Sequence, residues 1–190
     1  MSRKRYAMVL DMKRCVNCKG CTVACKMENN VPVGDEAYRN WVTELPLQGS
    51  FPNLHQEFRP SQCQHCENAP CKTVCPTWAT YRAPEGVVRI DDSKCILCSA
   101  CMLACPYNAR YKSVELKTID KCNFCWHRLE EGREPACVET CAWRVREFGD
   151  LNDPHSEVSR LLALREHYVL KPEVNTRPRL YYLVESWAVV

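Results

Sequence analysis

The chain has 190 residues, 16 of them cysteine, and a formal net charge of +3 with every cysteine counted as a neutral thiol. Apolar residues at 46 % exclude a disordered chain, and the longest uncharged apolar runs, Tyr6–Leu10 and Trp187–Val190, are too short to cross a bilayer. Cysteine at this density points to a chain held together by a cysteine framework.

In chain order, a basic start, Ser2-Arg3-Lys4-Arg5, is followed by only five apolar residues before Asp11, so no cleavable signal is legible. A first cysteine group, Cys15-x2-Cys18-x2-Cys21-x3-Cys25, comes next. The segment from Lys26 to Gln62 carries Pro32, Gly34, Pro46, Gly49, Pro52 and Pro60 around Trp41, Phe51 and Phe58, and reads as a long, mostly irregular insertion. The second group is Cys63-x2-Cys66-x4-Cys71-x3-Cys75-Pro76. Strand-like Thr80-Tyr81-Arg82 and Val87-Val88-Arg89-Ile90 follow, joined around Pro84-Glu85-Gly86 as a hairpin. The third group, Cys95-x2-Cys98-x2-Cys101-x3-Cys105-Pro106, repeats the first in its spacing, and the fourth is Cys122-x2-Cys125-x11-Cys137-x3-Cys141. No cysteine is left over. A helix is predicted from Pro154 to about His167, capped by Asp153, with Val158, Leu161, Leu162 and Arg165 on one face. The proline-punctuated, aromatic run from Arg177 to Leu183 reads equally as a docking strand or as a segment packed on the chain's own core.

Disulfides, zinc and iron–sulfur clusters compete for these cysteines. Cys-x2-Cys pairs inside an eleven-residue run leave little freedom to staple distant segments. Zinc takes two such knuckles separated by a longer loop, which only the fourth group offers. The first and third groups match the Cys-x2-Cys-x2-Cys-x3-Cys run of bacterial ferredoxins. Four quartets then imply four [4Fe–4S] clusters. A helix starting near each third cysteine carries the fourth roughly 6 Å further along its axis, towards a different cluster. Groups two and three, linked by a hairpin, form one exchange pair: Cys63, Cys66 and Cys71 with Cys105, and Cys95, Cys98 and Cys101 with Cys75. By elimination Cys15, Cys18 and Cys21 take Cys141, while Cys122, Cys125 and Cys137 take Cys25.

Gly20 before Cys21, and Ser99-Ala100 before Cys101, let backbone N–H groups approach cluster sulfurs. Each cluster with its thiolates carries about −2, which moves the loaded chain to about −5 and removes the basis for nucleic-acid binding. Arg14, Lys19, Lys26, Lys72, Lys94, Lys121 and Arg128 lie near ligands, and Lys94 and Lys121, directly preceding one, are candidates for tuning its potential. Six glycines form no dinucleotide fingerprint or P-loop, so no nucleotide is expected. No catalytic residue stands out. His65 reads as a neighbour of a cluster or a surface residue, and Trp78, Tyr107, Phe124 and Trp126 as shields against water.

The runs Cys25-Lys26-Met27-Glu28-Asn29-Asn30-Val31-Pro32, Gln64-His65-Cys66-Glu67-Asn68-Ala69-Pro70-Cys71, Asp120-Lys121-Cys122-Asn123-Phe124-Cys125 and Glu134-Pro135-Ala136-Cys137-Val138-Glu139-Thr140-Cys141 extend this reading. Through them the chain resembles the four-cluster electron-transfer subunits of molybdopterin oxidoreductases, the dimethyl sulfoxide reductase group, nearest to polysulfide, thiosulfate and tetrathionate reductase iron–sulfur subunits. The resemblance implies an α+β fold of two ferredoxin-like modules. Residues 1–28 with 113–150 would form one, 58–112 the other, with 29–57 as insertion and 151–190 as helix and docking tail. It also implies a large catalytic partner with a molybdenum or tungsten bis-pyranopterin centre, a quinone-reactive membrane anchor, and a peripheral membrane location reached by export alongside the catalytic subunit. Trp78, where the family commonly has glycine, and Ala142, where proline is common, depart from its pattern. An electron wire serving reduction of a sulfur compound is the function these expectations describe; a free-standing polyferredoxin and a zinc-stabilised interaction module are the alternatives.

Overall fold

The computed structural model describes residues 4–34 and 36–184. Ser2, Arg3 and the Trp187–Val190 run therefore lie outside the described residues. The fold is α+β. Its spine is a four-stranded sheet in the order Arg146–Asp150, Tyr6–Leu10, Leu180–Leu183, His167–Tyr168. Tyr6–Leu10 runs antiparallel to Arg146–Asp150 and parallel to Leu180–Leu183, with Leu10 opposite Arg146 and Met8 opposite Leu180. Side chains alternate across a strand. Met8 and Leu10 accordingly meet Leu180 and Tyr182 in the main core, while Ala7 and Val9 pack with Val158 and Leu183 on the other face. A strand covered on both faces reads as an unbroken apolar run.

This arrangement favours the second reading of the tail. Leu180 and Tyr182 are fully buried in the chain's own core, and Leu180–Leu183 is an inner strand of the sheet. The predicted helix is also shorter, Glu157–Leu164. Ser156 caps it, its Oγ accepting the Ser159 N–H at 3.2 Å, because Asp153 is occupied one turn earlier with the His155 N–H. Arg165 leaves the helix in extended conformation and pairs with Asp11 at 2.9 Å.

The insertion is ordered rather than irregular. Asn40–Glu44 pairs antiparallel with Phe58–Gln62, and inside that ladder Gln48–Ser50 pairs with Asn53–His55. Pro60 masked the outer strand in the sequence. In a two-stranded ladder every strand is an edge, where proline is tolerated. The expected hairpin forms, Thr80–Arg82 against Val88–Ile90. Its turn needs Gly86 (φ +83°), since a Cβ there would strike the Arg179 guanidinium. Among the described residues no helix is long and apolar enough to cross a membrane.

Candidate metal centres

Each Cys-x2-Cys turn is built the same way. The residue before its second cysteine, Asn17, His65, Leu97 or Phe124, has a positive φ between 45° and 57°. Four non-glycine residues accept this costly conformation at equivalent places, and such strain concentrates at functional sites. Lys19 and Ser99 are left-handed too, so the first and third groups fold as structural repeats. Left-handed residues inside a turn aim successive N–H groups into one concavity. Each third cysteine then enters a helix: Gly20–Glu28, Pro70–Thr73, Ala100–Leu103 or Ala136–Glu139. The first of these helices packs on the last, and the second on the third.

This packing brings cysteines of different groups together. One cavity is lined by Cys95, Cys98 and Cys101 with Cys75. A second is lined by Cys122, Cys125 and Cys137 with Cys25, and a third by Cys15, Cys18 and Cys21 with Cys141. The remaining four also gather, because Cys66 lies in the field of Cys63, Cys71 and Cys105. Among the described residues no three His, Cys, Asp or Glu side chains converge closely enough to share one metal ion. A zinc site needs four donors about 2.3 Å from one point. Sets made of cysteine alone, each drawn from two groups of the ferredoxin spacing, suit a polynuclear iron–sulfur group.

The surroundings suit one as well. The Thr80, Phe124 and Val145 N–H groups each donate to a sulfur at 3.4 Å, those of Cys75, Cys122 and Cys141. Asn29 Nδ2 lies 3.7 Å from Cys25 Sγ and 3.6 Å from Cys125 Sγ. Burial pushes the thiols of Cys25 and Cys122 far up, that of Cys66 up to about 12 and that of Cys137 up to about 11. At Cys75 partial burial acts in the same direction, but N–H and hydroxyl donors of Thr77, Ala79 and Thr80 outweigh it and the pKa is lowered. Buried thiols at such pKa values call for cationic partners to exist as thiolates. Buried donors lacking a partner among the described residues include Arg110 Nη2, Arg146 Nε and His65 Nε2. Unsatisfied buried donors are what an anionic group would occupy.

His65 is fully buried, which overturns its reading as a surface residue. Its Nδ1 accepts the Val88 N–H at 3.2 Å, so the ring proton lies on Nε2, and the ring stacks on Phe124 at 3.8 Å between centroids. Burial, then the charges of Lys121, Arg179 and Arg110, hold it neutral. Of the two lysine candidates, Lys94 is an exposed partner of Asp91, whereas Lys121 is buried between Val88 and Cys122 carbonyls. Arg128, expected near a ligand, is buried and paired with Glu28 and Glu139. Tyr107 and Phe124 are buried; Trp78 is 69 % exposed and shields little. Its φ of +58° explains why glycine would suit this place, and Asn108 and Arg144 adopt the same conformation three residues after Cys105 and Cys141. Sequence reading missed Arg110 and Arg146, each five residues after a fourth cysteine, a repetition that was visible.

A family model described as "4Fe-4S dicluster domain" matches residues 54–151. The chain is 44 % identical to a tetrathionate reductase subunit of Salmonella typhimurium, covering 95 % of this chain and 73 % of that protein. The chain belongs to this family of iron–sulfur electron-transfer subunits. It is likewise 44 % identical to the thiosulfate reductase electron transfer subunit PhsB of Salmonella typhi, over 86 % of this chain and 84 % of that one. A selenate reductase subunit of Mesobacillus selenatarsenatis is 39 % identical, over 94 % and 72 %. The chain is thus an electron-transfer protein with more than one [4Fe–4S] cluster.

Proposed function

We propose that the chain carries four [4Fe–4S] clusters in two ferredoxin-like modules and relays electrons between a quinone-reactive membrane anchor and a molybdenum or tungsten catalytic subunit. The observation that carries this reading is the gathering of three cysteines of one group with the fourth of another around shared cavities. The ligand sets are Cys15, Cys18, Cys21 and Cys141; Cys25, Cys122, Cys125 and Cys137; Cys63, Cys66, Cys71 and Cys105; and Cys75, Cys95, Cys98 and Cys101. A cluster so held takes up and releases one electron at a time. The chain's residues fix its place, supply N–H donors to its sulfurs and keep water from the two inner sites, whose cysteines are mostly buried.

Residues 1–28 with 113–150 form one module and 58–112 the other. Packing of Gly20–Glu28 on Ala136–Glu139, and of Pro70–Thr73 on Ala100–Leu103, supports that division. The names of the relatives favour a sulfur oxyanion or a related compound as substrate of the catalytic partner. Peripheral attachment to a membrane complex through the anchor subunit is part of the same proposal.

Iron and acid-labile sulfide on anaerobically purified protein test the cluster count. About 16 of each per chain are expected from four cubanes; zinc in place of iron refutes the reading. Cys105→Ser should disturb the cluster of Cys63, Cys66 and Cys71 and leave that of Cys95, Cys98 and Cys101 intact by EPR. The reverse would sink the exchange. Co-purification with the catalytic subunit tests the partner.

A further inference from the structure

Three buried cations lie between the four cysteine sets. Arg146 is 1 % exposed and lines the Cys15–Cys18–Cys21 cavity. Its Nη2 is 3.8 Å from Cys21 Sγ, and its strongest cysteine neighbours are Cys137, of the next set, and Cys21. Lys121 donates to the Cys122 carbonyl at 2.7 Å, and its field reaches Cys63 and Cys122, which belong to different sets. Arg110 donates to Thr80 Oγ1 at 3.2 Å, whose N–H in turn meets Cys75, and it acts on Cys71 and Cys63 of one set and Cys101 of the other.

What separates these three from the other buried or mostly buried cations is the lack of a carboxylate. Arg39 pairs with Asp120, Arg128 with Glu28 and Glu139, and Arg179 with Glu67. Among the described residues Arg110, Lys121 and Arg146 have no such partner; their hydrogen bonds to oxygen go to neutral acceptors, Gln62 Oε1 for Arg146 at 2.6 Å, and Arg146 also reaches the Cys21 sulfur. A charge removed from water without a counter-charge is costly, and a fold keeps it only where an anion answers it. The anions at hand are the thiolate sets on either side.

Resting on the four-cluster reading, we propose that Arg146, Lys121 and Arg110 form a row of fixed positive charges, one at each junction between consecutive clusters. The row gives the wire its order: the Cys21 cluster, Arg146, the Cys122 cluster, Lys121, the Cys71 cluster, Arg110, the Cys101 cluster. Each cation is a positioning residue. It stabilises the extra electron on both neighbouring clusters and so raises the potentials of that pair together.

The test uses the full chain loaded with iron. Arg146→Gln, Lys121→Met and Arg110→Gln are purified without air, analysed for iron and sulfide, and titrated potentiometrically with EPR detection, the signals assigned through single Cys→Ser variants. Each loaded variant should move the two clusters flanking the lost charge to lower potential and leave the other two in place, and Arg146→Lys and Arg110→Lys should restore them. Unmoved potentials in a loaded variant, or an equal shift at all four clusters, overturn the proposal. If the charge-removing variants lose iron, the charge-keeping variants Arg146→Lys, Arg110→Lys and Lys121→Arg decide. Full loading with unaltered potentials supports the row; loss of iron there too overturns it. An unaltered chain with fewer than four clusters would instead sink the reading beneath it.

Discussion

The Tyr182 hydroxyl donates to the Pro60 carbonyl at 3.0 Å, across 122 residues of chain. It ties the inner C-terminal strand to the inserted arm, through a ring that is fully buried. Tyr182→Phe should cost about 1 kcal/mol, the usual net value of one hydrogen bond. Tyr182→Ala should cost about 3–5 kcal/mol by cavity formation. Denaturant melts of loaded protein measure both. A chain cut before Leu180 should lose its fold and its iron together; a cut chain retaining both would refute the inner-strand assignment.

Trp78 holds a left-handed conformation with its ring mostly in solvent. Relief of that backbone strain outweighs the small amount of buried ring, so Trp78→Gly should stabilise the protein by about 1 kcal/mol. Trp78→Ala keeps the strain and should give no gain. Thermal melts of the two variants side by side decide it.

The first and third cysteine runs were legible because ligand spacing there is a local property: cysteines three or four residues apart share a turn or helix whatever surrounds them, whereas the fourth run, with its x11 gap, was read from its two ends. The hairpin at Gly86 was legible for the same reason. What distant contacts decide was not. Leu180 and Tyr182 look alike whether they face a partner or their own core, and only the parallel pairing with Met8 and Leu10 distinguishes the two. Pro60 hid a strand, Ser156 took the cap expected of Asp153, and Arg110 and Arg146 look like surface charges until the sheet closes over them.

Glu67 pairs with Arg5 and with the buried Arg179. Partial burial pushes its carboxyl up, but hydrogen bonds from both guanidinium groups outweigh this and hold it below its ordinary 4.5. A depressed folded-state pKa contributes stability above the ordinary value and loses it as pH falls through the folded one. Glu67→Gln should therefore cost about 1–2 kcal/mol at neutral pH. That gap should stay constant down to pH 4.5 and close below it. Parallel melts of both proteins across this range would expose a gap that does not close.

Cys18 and Cys98 are the exposed cysteines, whereas Cys122, Cys125 and Cys137 are buried. On controlled exposure to air the outer clusters should fail first. Alkylation followed by mass spectrometry should label Cys18 and Cys98 before any cysteine of the inner sites. Simultaneous labelling would show that the chain opens as a whole.

Removal of iron leaves Arg110, Lys121 and Arg146 as buried charges without a counter-ion. The chelated protein should lose cooperative unfolding rather than merely melt lower, and amide exchange in Tyr6–Leu10 should rise to that of exposed loops. A chelated chain with a sharp transition would contradict this.

The parallel pairing of Tyr6–Leu10 with Leu180–Leu183 also fixes a timetable. The earlier of these neighbours leaves the ribosome long before the later one, and all sixteen cysteines are translated in between. The central sheet cannot close before Leu180–Leu183 has been made, and Cys15, Cys18 and Cys21 cannot meet Cys141 until the fourth cysteine group has emerged. The set of Cys15, Cys18, Cys21 and Cys141 is thus completed only after every cysteine of groups two and three has been made, and the closing of the Leu180–Leu183 strand comes later still.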